Sequence, residues 1–508
     1  MLHDSLERRN EQQTTAQRSR FQRITLWFTD HFGLVVFLSS LCAYIVTLNG
    51  VWATDHSTAI VEFQYALYSQ HSLILGKVGS FSPNSVDVFQ YDGHYFMANA
   101  PGIAFLTYPF AAIAFSIYGH FTAFGYVLIF TEIPIAVSNA IATYLIFKLS
   151  RFYFTKEVSS FLSFAYAFST ISWPFATYLF QSDVSAMFDM IVVYLAIKAS
   201  REEYFSQIDG SRSGNDLLLS LLIGLALTCA TITDYINGIL IPILGVYLIL
   251  TFRKTGWKND LRNFGAFASG SLILTSFLLG VYNYLSFGKI FVSSEQLYLH
   301  SVSLFGNFTT PVYLGLLLNL ITPMRGLLFF SPILIFGFWG LWKMMRISIL
   351  DRESLLFLCV FLGILMLYST WYDADGGLSF GPRLIIPSVP FLLIPAGFVI
   401  TNAKGKNSYT LVYLLYAAGV LVNGVAAFVG ALAPPNSNWM YSPFFSNTLP
   451  DLLQSKVDIW LVHYIGNLWI PVMAVVVGFA LFVPMISSYF LSRGHLIGSA
   501  EQTEKKVE

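Results

Sequence analysis

Long apolar runs separated by short polar segments dominate the chain. A helix needs roughly 17–25 predominantly apolar residues to cross ~30 Å of hydrocarbon, and runs close to this length recur between residues 33 and 491. Strand-like alternation is absent, and helices satisfy their own backbone hydrogen bonds in lipid. The pattern predicts an all-α polytopic membrane protein with about twelve transmembrane helices. The predicted spans are 33–51, 126–148, 157–178, 184–199, 217–234, 237–252, 266–285, 327–342, 354–370, 384–402, 409–432 and 467–491.

The composition supports this class and excludes others. Hydrophobic residues make up 55% of the 508 residues and charged residues 11%, whereas soluble chains carry about 25% charged residues. Basic and acidic residues number 28 each, so bulk charge gives no case for nucleic-acid binding. No nucleotide-binding glycine motif occurs. The three cysteines, Cys42, Cys229 and Cys359, lie inside apolar runs, which indicates buried thiols rather than disulfides or a zinc site.

Basic residues divide unequally between alternate loops and thereby predict the orientation. With both termini in the cytoplasm, all 28 Lys and Arg residues except five lie on the inner side. This arrangement requires the apolar segments 102–118 and 311–322 to be helices that lie at, or dip into, the outer leaflet. We therefore expect a multi-pass protein of the cell membrane whose long polar loops face outward. The five outer basic residues are Lys77, Lys289, Arg325, Arg383 and Lys456.

This topology divides the chain into four segments. The apolar residues in the stretch after Asp55 suit an amphipathic helix at the membrane interface on the outer face. The segments are a basic cytoplasmic leader (1–32), a transmembrane module with an external loop at 52–101 (33–402), C-terminal transmembrane helices with an external loop at 433–466 (403–491) and a cytoplasmic tail (492–508).

Several carboxylates lie at the predicted outer boundary of the membrane, where charge is costly and marks candidate functional residues. Asp55 follows the first span in Trp52-Ala-Thr-Asp-His56. It can serve as a general base or cap the helix that follows. Asp183 opens an inward helix, again as a cap or a site residue. Asp234 lies in a turn between two spans and is either a site residue or a turn carboxylate.

A glycine-rich outer loop and the end of the first loop supply candidate cationic and polar groups. Arg383 ends the loop Trp371-Tyr-Asp-Ala-Asp-Gly-Gly-Leu-Ser-Phe-Gly-Pro-Arg383, where a guanidinium can grip a lipid phosphate or extend to the membrane surface. His94, in Tyr91-Asp-Gly-His-Tyr-Phe96, is a candidate phosphate donor, proton carrier or metal ligand, or makes an ordinary hydrogen bond.

These motifs, taken in order, resemble the GT-C class of integral-membrane glycosyltransferases. The nearest branch is that of the protein O-mannosyltransferases and lipid A aminoarabinose transferases, and the resemblance covers about residues 34–400. The matching motifs are Asp55 after the first span, Tyr91-Asp-Gly-His-Tyr, Asn99-Ala-Pro-Gly102, Trp173-Pro-Phe-Ala-Thr-Tyr-Leu-Phe-Gln-Ser-Asp183, Tyr282-Asn-Tyr-Leu-Ser-Phe-Gly288, Pro323-Met-Arg-Gly-Leu-Leu-Phe-Phe-Ser-Pro332 and Gly376-Gly-Leu-Ser-Phe-Gly-Pro-Arg383.

The resemblance implies roles for individual residues. Asp55 is the expected catalytic base. The expected ligands of the donor phosphate are Arg383, Arg325, His94 and Lys77. The expected substrate-positioning residues are Asp183, Asp92, Asp234, Asn99 and Asp375, and Asp183 is also the candidate ligand if a divalent cation is used. Two positions depart from many relatives: His56 replaces a second carboxylate, and Asn99 replaces a lysine.

The predicted function is transfer of a sugar from a polyprenyl- or dolichyl-phosphate donor to an acceptor hydroxyl on the outer face, with inversion of the anomeric centre. The acceptor can be a protein, a lipid or a glycan. Two alternatives are a transporter or lipid flippase that uses outer carboxylates for ion coupling, and a non-enzymatic scaffold. An enzyme requires Asp55, Asp183 and Arg383 to line one cavity, whereas a transporter requires an acidic path toward the cytoplasmic face.

Overall fold

The computed structural model describes residues 27–50, 54–75, 87–119, 124–209, 216–252, 257–300, 306–403, 406–433, 436, 438 and 440–507. Most of these residues are helical, and the strands among them form one two-stranded hairpin. The elements of the first half are α1 (Phe32–Val46), α2 (Asp55–Gln70), β1 (Val88–Tyr91), β2 (His94–Met97), α3 (Gly102–Tyr118), α4 (Phe124–Ser150), α5 (Lys156–Ser169), α6 (Ser172–Phe175), α7 (Gln181–Asp209), α8 (Asp216–Thr233) and α9 (Leu240–Phe252).

The second half continues the helical bundle. Its helices are α10 (Trp257–Ala268), α11 (Leu274–Phe287), α12 (Ser294–Tyr298), α13 (Val312–Leu320), α14 (Leu327–Phe330), α15 (Ile335–Met345), α16 (Asp351–Thr370), α17 (Val389–Ile400), α18 (Lys406–Val429), α19 (Leu449–Leu453), α20 (Val462–Ile465) and α21 (Trp469–Val507). Short 3-10 turns occupy Tyr235–Ile239, Pro332–Leu334, Ser348–Leu350, Arg383–Ser388 and Gly466–Leu468, and π-helical turns occupy Ser269–Ile273 and Phe444–Thr448.

Helices long and apolar enough to cross a membrane recur along the described chain, as predicted. Seven qualify: Gly125–Ser150, Asp216–Thr233, Lys258–Phe287, Ser348–Thr370, Arg383–Ile400, Asn407–Val429 and Gly466–Ser492. Four shorter apolar helices accompany them, namely Phe32–Val46, Gly102–Tyr118, Tyr235–Thr251 and Pro332–Met345. The all-α polytopic class is therefore confirmed, while the number of about twelve spans stays a prediction.

Two predicted spans are interrupted instead of continuous. The chain over 157–178 forms α5, breaks at Thr170 and resumes as the single turn α6, and the chain over 327–342 breaks at Ser331 between α14 and α15. The breaks meet, because the Ile171 backbone N–H donates to Ser331 Oγ at 2.9 Å. Thr170 and Ser331 are fully buried, as irregular backbone at membrane depth must be.

The segment predicted to be the first outer loop combines the predicted amphipathic helix with an unpredicted hairpin. Strands β1 and β2 pair in antiparallel register and are joined by Asp92 and Gly93, both with positive φ (49° and 76°). Such a two-residue turn matches the natural twist of a hairpin. Helix α3, which covers the apolar segment 102–118, packs on α2 and α4. Its predicted place at the outer leaflet stays a prediction.

Candidate active site

A cavity of about 110 Å³ lies where the first outer loop, α12 and the loop 371–383 meet. Four carboxylates line it, yet its lining holds a single arginine. Four tyrosines, one histidine and two side-chain amides complete the polar lining. These residues are Asp87, Asp234, Glu295, Asp373, Arg383, Tyr235, Tyr298, Tyr368, Tyr372, His56, Asn99 and Gln181. The cavity therefore joins segments that are far apart in sequence.

Helix α2 begins beside the cavity with a reciprocal cap. Thr54 Oγ1 accepts from the Ser57 N–H at 3.0 Å, and Ser57 Oγ accepts from the Thr54 N–H at 2.8 Å. The cap is therefore Thr54, and Asp55 is the first helical residue, exposed at the N-terminal end of α2. This excludes the capping role that the sequence had left open for Asp55. The next residue, His56, is buried and lines the cavity.

The base of the hairpin brings Asp87 and Asn99 to the cavity. The Ala98 N–H donates to the Asp87 carbonyl at 3.0 Å, which extends the strand pairing by one step and sets the two segments side by side. Asp87 Oδ2 lies 3.7 Å from His56 Nδ1. The Asn99 side-chain nitrogen is buried and has no hydrogen-bond partner among the described residues.

The loop 371–383 is held by a second arginine that does not line the cavity. Arg325 is fully buried, and its Nε and Nη2 donate to the carbonyls of Asp375 (2.7 Å) and Gly377 (2.9 Å). Its Nη1 donates to the Met324 carbonyl at 3.2 Å. Gly376 and Gly377 both have positive φ, a backbone that L-residues rarely adopt. Arg325 thus supports the loop backbone, which differs from its predicted role as a phosphate ligand.

Arg383 lies at the end of this loop with an unpaired donor. Its Nε donates to the Gly376 carbonyl at 2.9 Å, and its guanidinium lies 4.4 Å from the ring centroid of Phe180. Its Nη1 is buried and has no hydrogen-bond partner, and the ion pairs among the described residues include none at Arg383. A buried guanidinium nitrogen without a partner is costly unless an acceptor completes it.

The opposite wall comes from the turn between α8 and α9 and from α12. Asp234 caps the 3-10 turn through the Ile236 N–H (3.3 Å), and its other oxygen accepts from the Tyr368 hydroxyl. Glu295 lies in the first turn of α12, whose Ser294 hydroxyl donates to the Asn99 carbonyl at 3.4 Å. Asp234 is therefore both a turn carboxylate and a cavity residue.

Burial lowers the effective charge of the cavity. It raises the pKa of Asp87 to about 6, a rise that Arg383 opposes and Asp55 reinforces. Burial and a hydrogen bond with Asp375 raise the pKa of Asp373 to about 7. Burial, with a contribution from Asp234, raises the pKa of Glu295 to about 8. The carboxylates of a crowded, dry site cannot all ionise together.

His56 stays neutral in this setting. Burial and, next, the Arg383 charge lower its pKa to about 3. Arg325 keeps its charge, because burial lowers its pKa only to about 10. At neutral pH the cavity therefore has a permanent cation in Arg383 and carboxylates that are only partly ionised.

Several predicted site residues lie outside the cavity lining. Of Asp55, Asp183 and Arg383, which the enzyme interpretation expects to share one cavity, only Arg383 lines it. Asp183 is fully buried and accepts from the Ser172 hydroxyl at 2.7 Å; its neighbour Gln181 lines the cavity instead. Asp92 and His94 are exposed at the hairpin turn. Asp375 accepts from the Gly377 N–H at 2.8 Å and shapes the glycine turn. Lys77 lies outside the described residues.

The described residues do not form a metal centre around Asp183. No group of three or more His, Cys, Asp or Glu side chains in the described ranges is arranged to hold a metal ion. Asp183 bonds to a hydroxyl rather than to a second carboxylate. The donor set therefore does not fit a divalent cation at this position.

Sequence reasoning missed most of the cavity carboxylates. Asp87 and Glu295 lie in polar stretches without a recognisable motif, and Asp373 lies two residues before Asp375, which was chosen instead. Only Asp373 carried a signal, because it shares the glycine-rich loop with Arg383. Asp87 and Glu295 become visible only when the hairpin and α12 are folded against that loop.

Comparison with known proteins supports the fold alone. No family model and no curated protein sequence matches the chain. Among solved structures, ArnT from Cupriavidus metallidurans bound to undecaprenyl phosphate is similar with a TM-score of 0.54 and 16% identity, over 91% of this chain and 77% of that chain. Its apo form gives 0.50 at 16% identity over the same shares.

A more distant similarity is to the oligosaccharyltransferase AglB from Archaeoglobus fulgidus in complex with an inhibitory peptide and a dolichol-phosphate. There the TM-score is 0.48 with 12% identity, over 81% of this chain and 57% of that chain. The chain therefore shares the overall fold of ArnT, as expected from the resemblance of its ordered motifs to the GT-C class.

Proposed function

We propose that this protein is a membrane glycosyltransferase that moves a sugar from a polyprenyl-phosphate donor to an acceptor hydroxyl on the outer face. One observation carries the proposal: two buried donors without partners, Arg383 Nη1 and the Asn99 side-chain nitrogen, belong to residues that line the same cavity. Unsatisfied buried donors of this kind are complementary to an anion. The fold adds support, because the similar ArnT structure contains undecaprenyl phosphate.

The donor phosphate would bind at Arg383 and Asn99. A guanidinium offers a fixed fork to phosphate oxygens, and the amide adds a neutral donor where many relatives have a lysine. In this scheme Arg325 acts through the loop backbone that it holds. The leaving lipid phosphate gains negative charge as the glycosidic bond breaks, so a preorganised cation beside it lowers the barrier.

Asp55 would act as the general base. It is exposed at the outer end of α2, where an acceptor from the aqueous side can reach it, and its charge acts on Asp87 inside the cavity. The acceptor hydroxyl would give its proton to Asp55 while its oxygen forms a bond to the sugar C1. The bond from C1 to the phosphate oxygen would break on the opposite side, inverting the anomeric centre.

Asp234 and Asp373 would hold the sugar hydroxyls, since both line the cavity that also contains Arg383. Carboxylates are good acceptors for sugar hydroxyls. Asp183, Asp92 and Asp375 would contribute indirectly, through helix α7, the hairpin and the glycine turn that they support. The acceptor would be a protein, a lipid or a glycan at the outer surface of the cell membrane.

A transporter finds less support in the described residues. The acidic residues that follow Asp183 on α7 are Asp189 and then Glu202, and thirteen residues of helix separate those two by about 20 Å. Helix α7 therefore carries no continuous acidic path from the cavity toward the cytoplasmic face.

The test is transfer by purified protein in lipid nanodiscs supplied with a panel of radiolabelled polyprenyl-phosphate sugars. We expect wild-type protein to release one sugar to an acceptor, and Asp55→Asn to reduce transfer by about a thousandfold or more with an unchanged melting temperature. The matched control is Asp451→Asn, at an exposed carboxylate paired with Lys456 in the other long outer loop. Full activity of Asp55→Asn would refute the assignment of the base.

A further inference from the structure

Asp87 is the carboxylate that attracts the Arg383 guanidinium most strongly. Among the charges around the guanidinium, its attraction is the largest, ahead of Asp373 and Asp234. Conversely, Arg383 is the largest charge influence on Asp87. The two residues line one cavity but form no direct ion pair within 4.0 Å. An anion on Arg383 would therefore lie in the field of an ionised Asp87.

Asp87 also has a partner that suits its protonated form. Its Oδ2 lies 3.7 Å from Nδ1 of His56, which is buried and stays neutral. A neutral imidazole nitrogen can accept a hydrogen bond from a carboxylic acid. The side chain of Asp87 is about a quarter exposed (24%), so a proton from the outer aqueous phase can reach it.

We propose that Asp87 is a positioning residue that competes with the donor phosphate for Arg383 and takes up a proton when that phosphate binds. The inference rests on the proposed phosphate subsite at Arg383, and it adds that binding is coupled to protonation. In the empty site the ionised carboxylate balances the guanidinium. When a phosphodiester binds, one proton from solvent converts Asp87 to the acid, whose hydroxyl can donate to the neutral His56 Nδ1 once their 3.7 Å separation shortens.

The sign of the pH dependence follows from this competition. Burial raises the pKa of Asp87 to about 6, so below that pH it is mostly neutral and the anion meets no opposing charge. Affinity for a phosphodiester therefore falls as pH rises through about 6. The charged or titratable groups near Asp87 come from five parts of the chain. They are His56 and Asp55 from α2, Asp234 and Tyr235 from the turn before α9, Glu295 and Tyr298 from α12, Tyr368 from α16, and Tyr372, Asp373 and Arg383 from the loop 371–383.

The experiment measures binding of undecaprenyl methyl phosphate, a diester with one fixed charge, to the full chain in nanodiscs at pH 5 and pH 8. We expect wild-type affinity to be on the order of tenfold weaker at pH 8, the effect of one like charge nearby. Asp87→Asn should bind about tenfold more tightly than wild type at pH 8 and equally at pH 5. Asp451→Asn should behave as wild type.

Other outcomes overturn the proposal. Asp87→Asn that weakens binding equally at both pH values would mean that Asp87 only supports the hairpin. Equal affinity of wild type at both pH values would mean that no competition exists. Dimethyl phosphate is a second probe; a pH response with this soluble diester but none with the lipid diester would assign the effect to a site that is not the lipid one.

A second measurement keeps the proposal testable if Asp87→Asn does not fold. Calorimetric titration of wild type with the lipid diester at pH 6.5, in two buffers of different ionisation enthalpy, should reveal uptake of a substantial fraction of a proton. Zero uptake would overturn the proposal. These readouts are independent of sugar transfer, so failure of the proposed enzymatic function would be seen separately, as binding without turnover.

Discussion

At the scale of single residues, the two arginines of the outer face have different surroundings although both were predicted phosphate ligands. All three nitrogens of Arg325 donate to backbone carbonyls, whereas Arg383 keeps an unpaired Nη1 beside the cavity. Three of the five N–H donors of Arg325 are used by the backbone, and the side chain does not line the cavity, so it is less suited than Arg383 to bind a phosphate there. The assignment of the donor subsite therefore depends on Arg383.

Replacement of Arg383 tests this subsite. Arg383→Gln removes a charge-assisted contact worth about 1.5–3 kcal/mol, so we expect the KM for the donor lipid to rise about 10- to 100-fold. Arg383→Lys should retain part of the donor affinity, because lysine keeps the positive charge but lacks the planar pair of N–H donors of a guanidinium. The measurement is donor-dependent transfer, with Lys456→Gln as the control for loss of one outer positive charge. Unchanged KM in Arg383→Gln would contradict the subsite.

At the scale of elements, the loop 371–383 is the part that orders the cavity. Its two glycines with positive φ bend the backbone, and the N–H groups of Ser379 and Phe380 donate to the carbonyls of Ala433 and Ala431. A Cβ atom on Gly381 would lie 2.7 Å from Ile171 Cδ1. The loop thus packs against the interrupted helices, and this contact fixes the start of the next helix at Arg383.

Replacement of Arg325 tests the role of the loop. Arg325→Met fills a similar volume but leaves the buried carbonyls of Asp375 and Gly377 without donors, at a cost of about 1–3 kcal/mol each. We expect a lower melting temperature together with loss of transfer. Arg383→Gln should lose donor affinity with a smaller drop in melting temperature, because it removes only one contact with a loop carbonyl, that of Gly376. Thermal unfolding of both purified variants makes the comparison. A stable Arg325→Met with a raised donor KM would return Arg325 to the predicted phosphate role.

At the scale of the whole molecule, the orientation in the membrane stays a prediction from basic residues. It can be tested with single cysteines in a background where Cys42, Cys229 and Cys359 are alanine. Leu453→Cys, at an exposed side chain (78%) in the predicted outer loop, should react with an impermeant maleimide in intact cells. Ile349→Cys, also exposed (68%) and predicted inner, should react only after permeabilisation. The reverse pattern would invert the topology.

The whole molecule also explains which predictions from sequence were accurate. Apolar runs of membrane-spanning length do not depend on how the helices pack, so the polytopic class was predictable from the sequence. The interruptions at Thr170 and Ser331 were not, because the apolar pattern continues across them and the breaks are stabilised by each other. Asp92 belongs to a recognisable motif, but it lies in the hairpin turn. Asp87 belongs to no such motif, but it lines the cavity.

The sequence by itself determined that this protein belongs in a lipid bilayer, and it determined the order of the motifs. Hydropathy and motif order can both be read from a linear chain. Tertiary structure alone decided which charged side chains line the same cavity. Asp87, Glu295 and Arg383 are separated by up to 296 residues, yet they line one cavity, because β1 of the hairpin packs on α12 and the glycine loop lies beside them. Proximity of this kind depends on contacts across the bundle, and local pattern does not encode it.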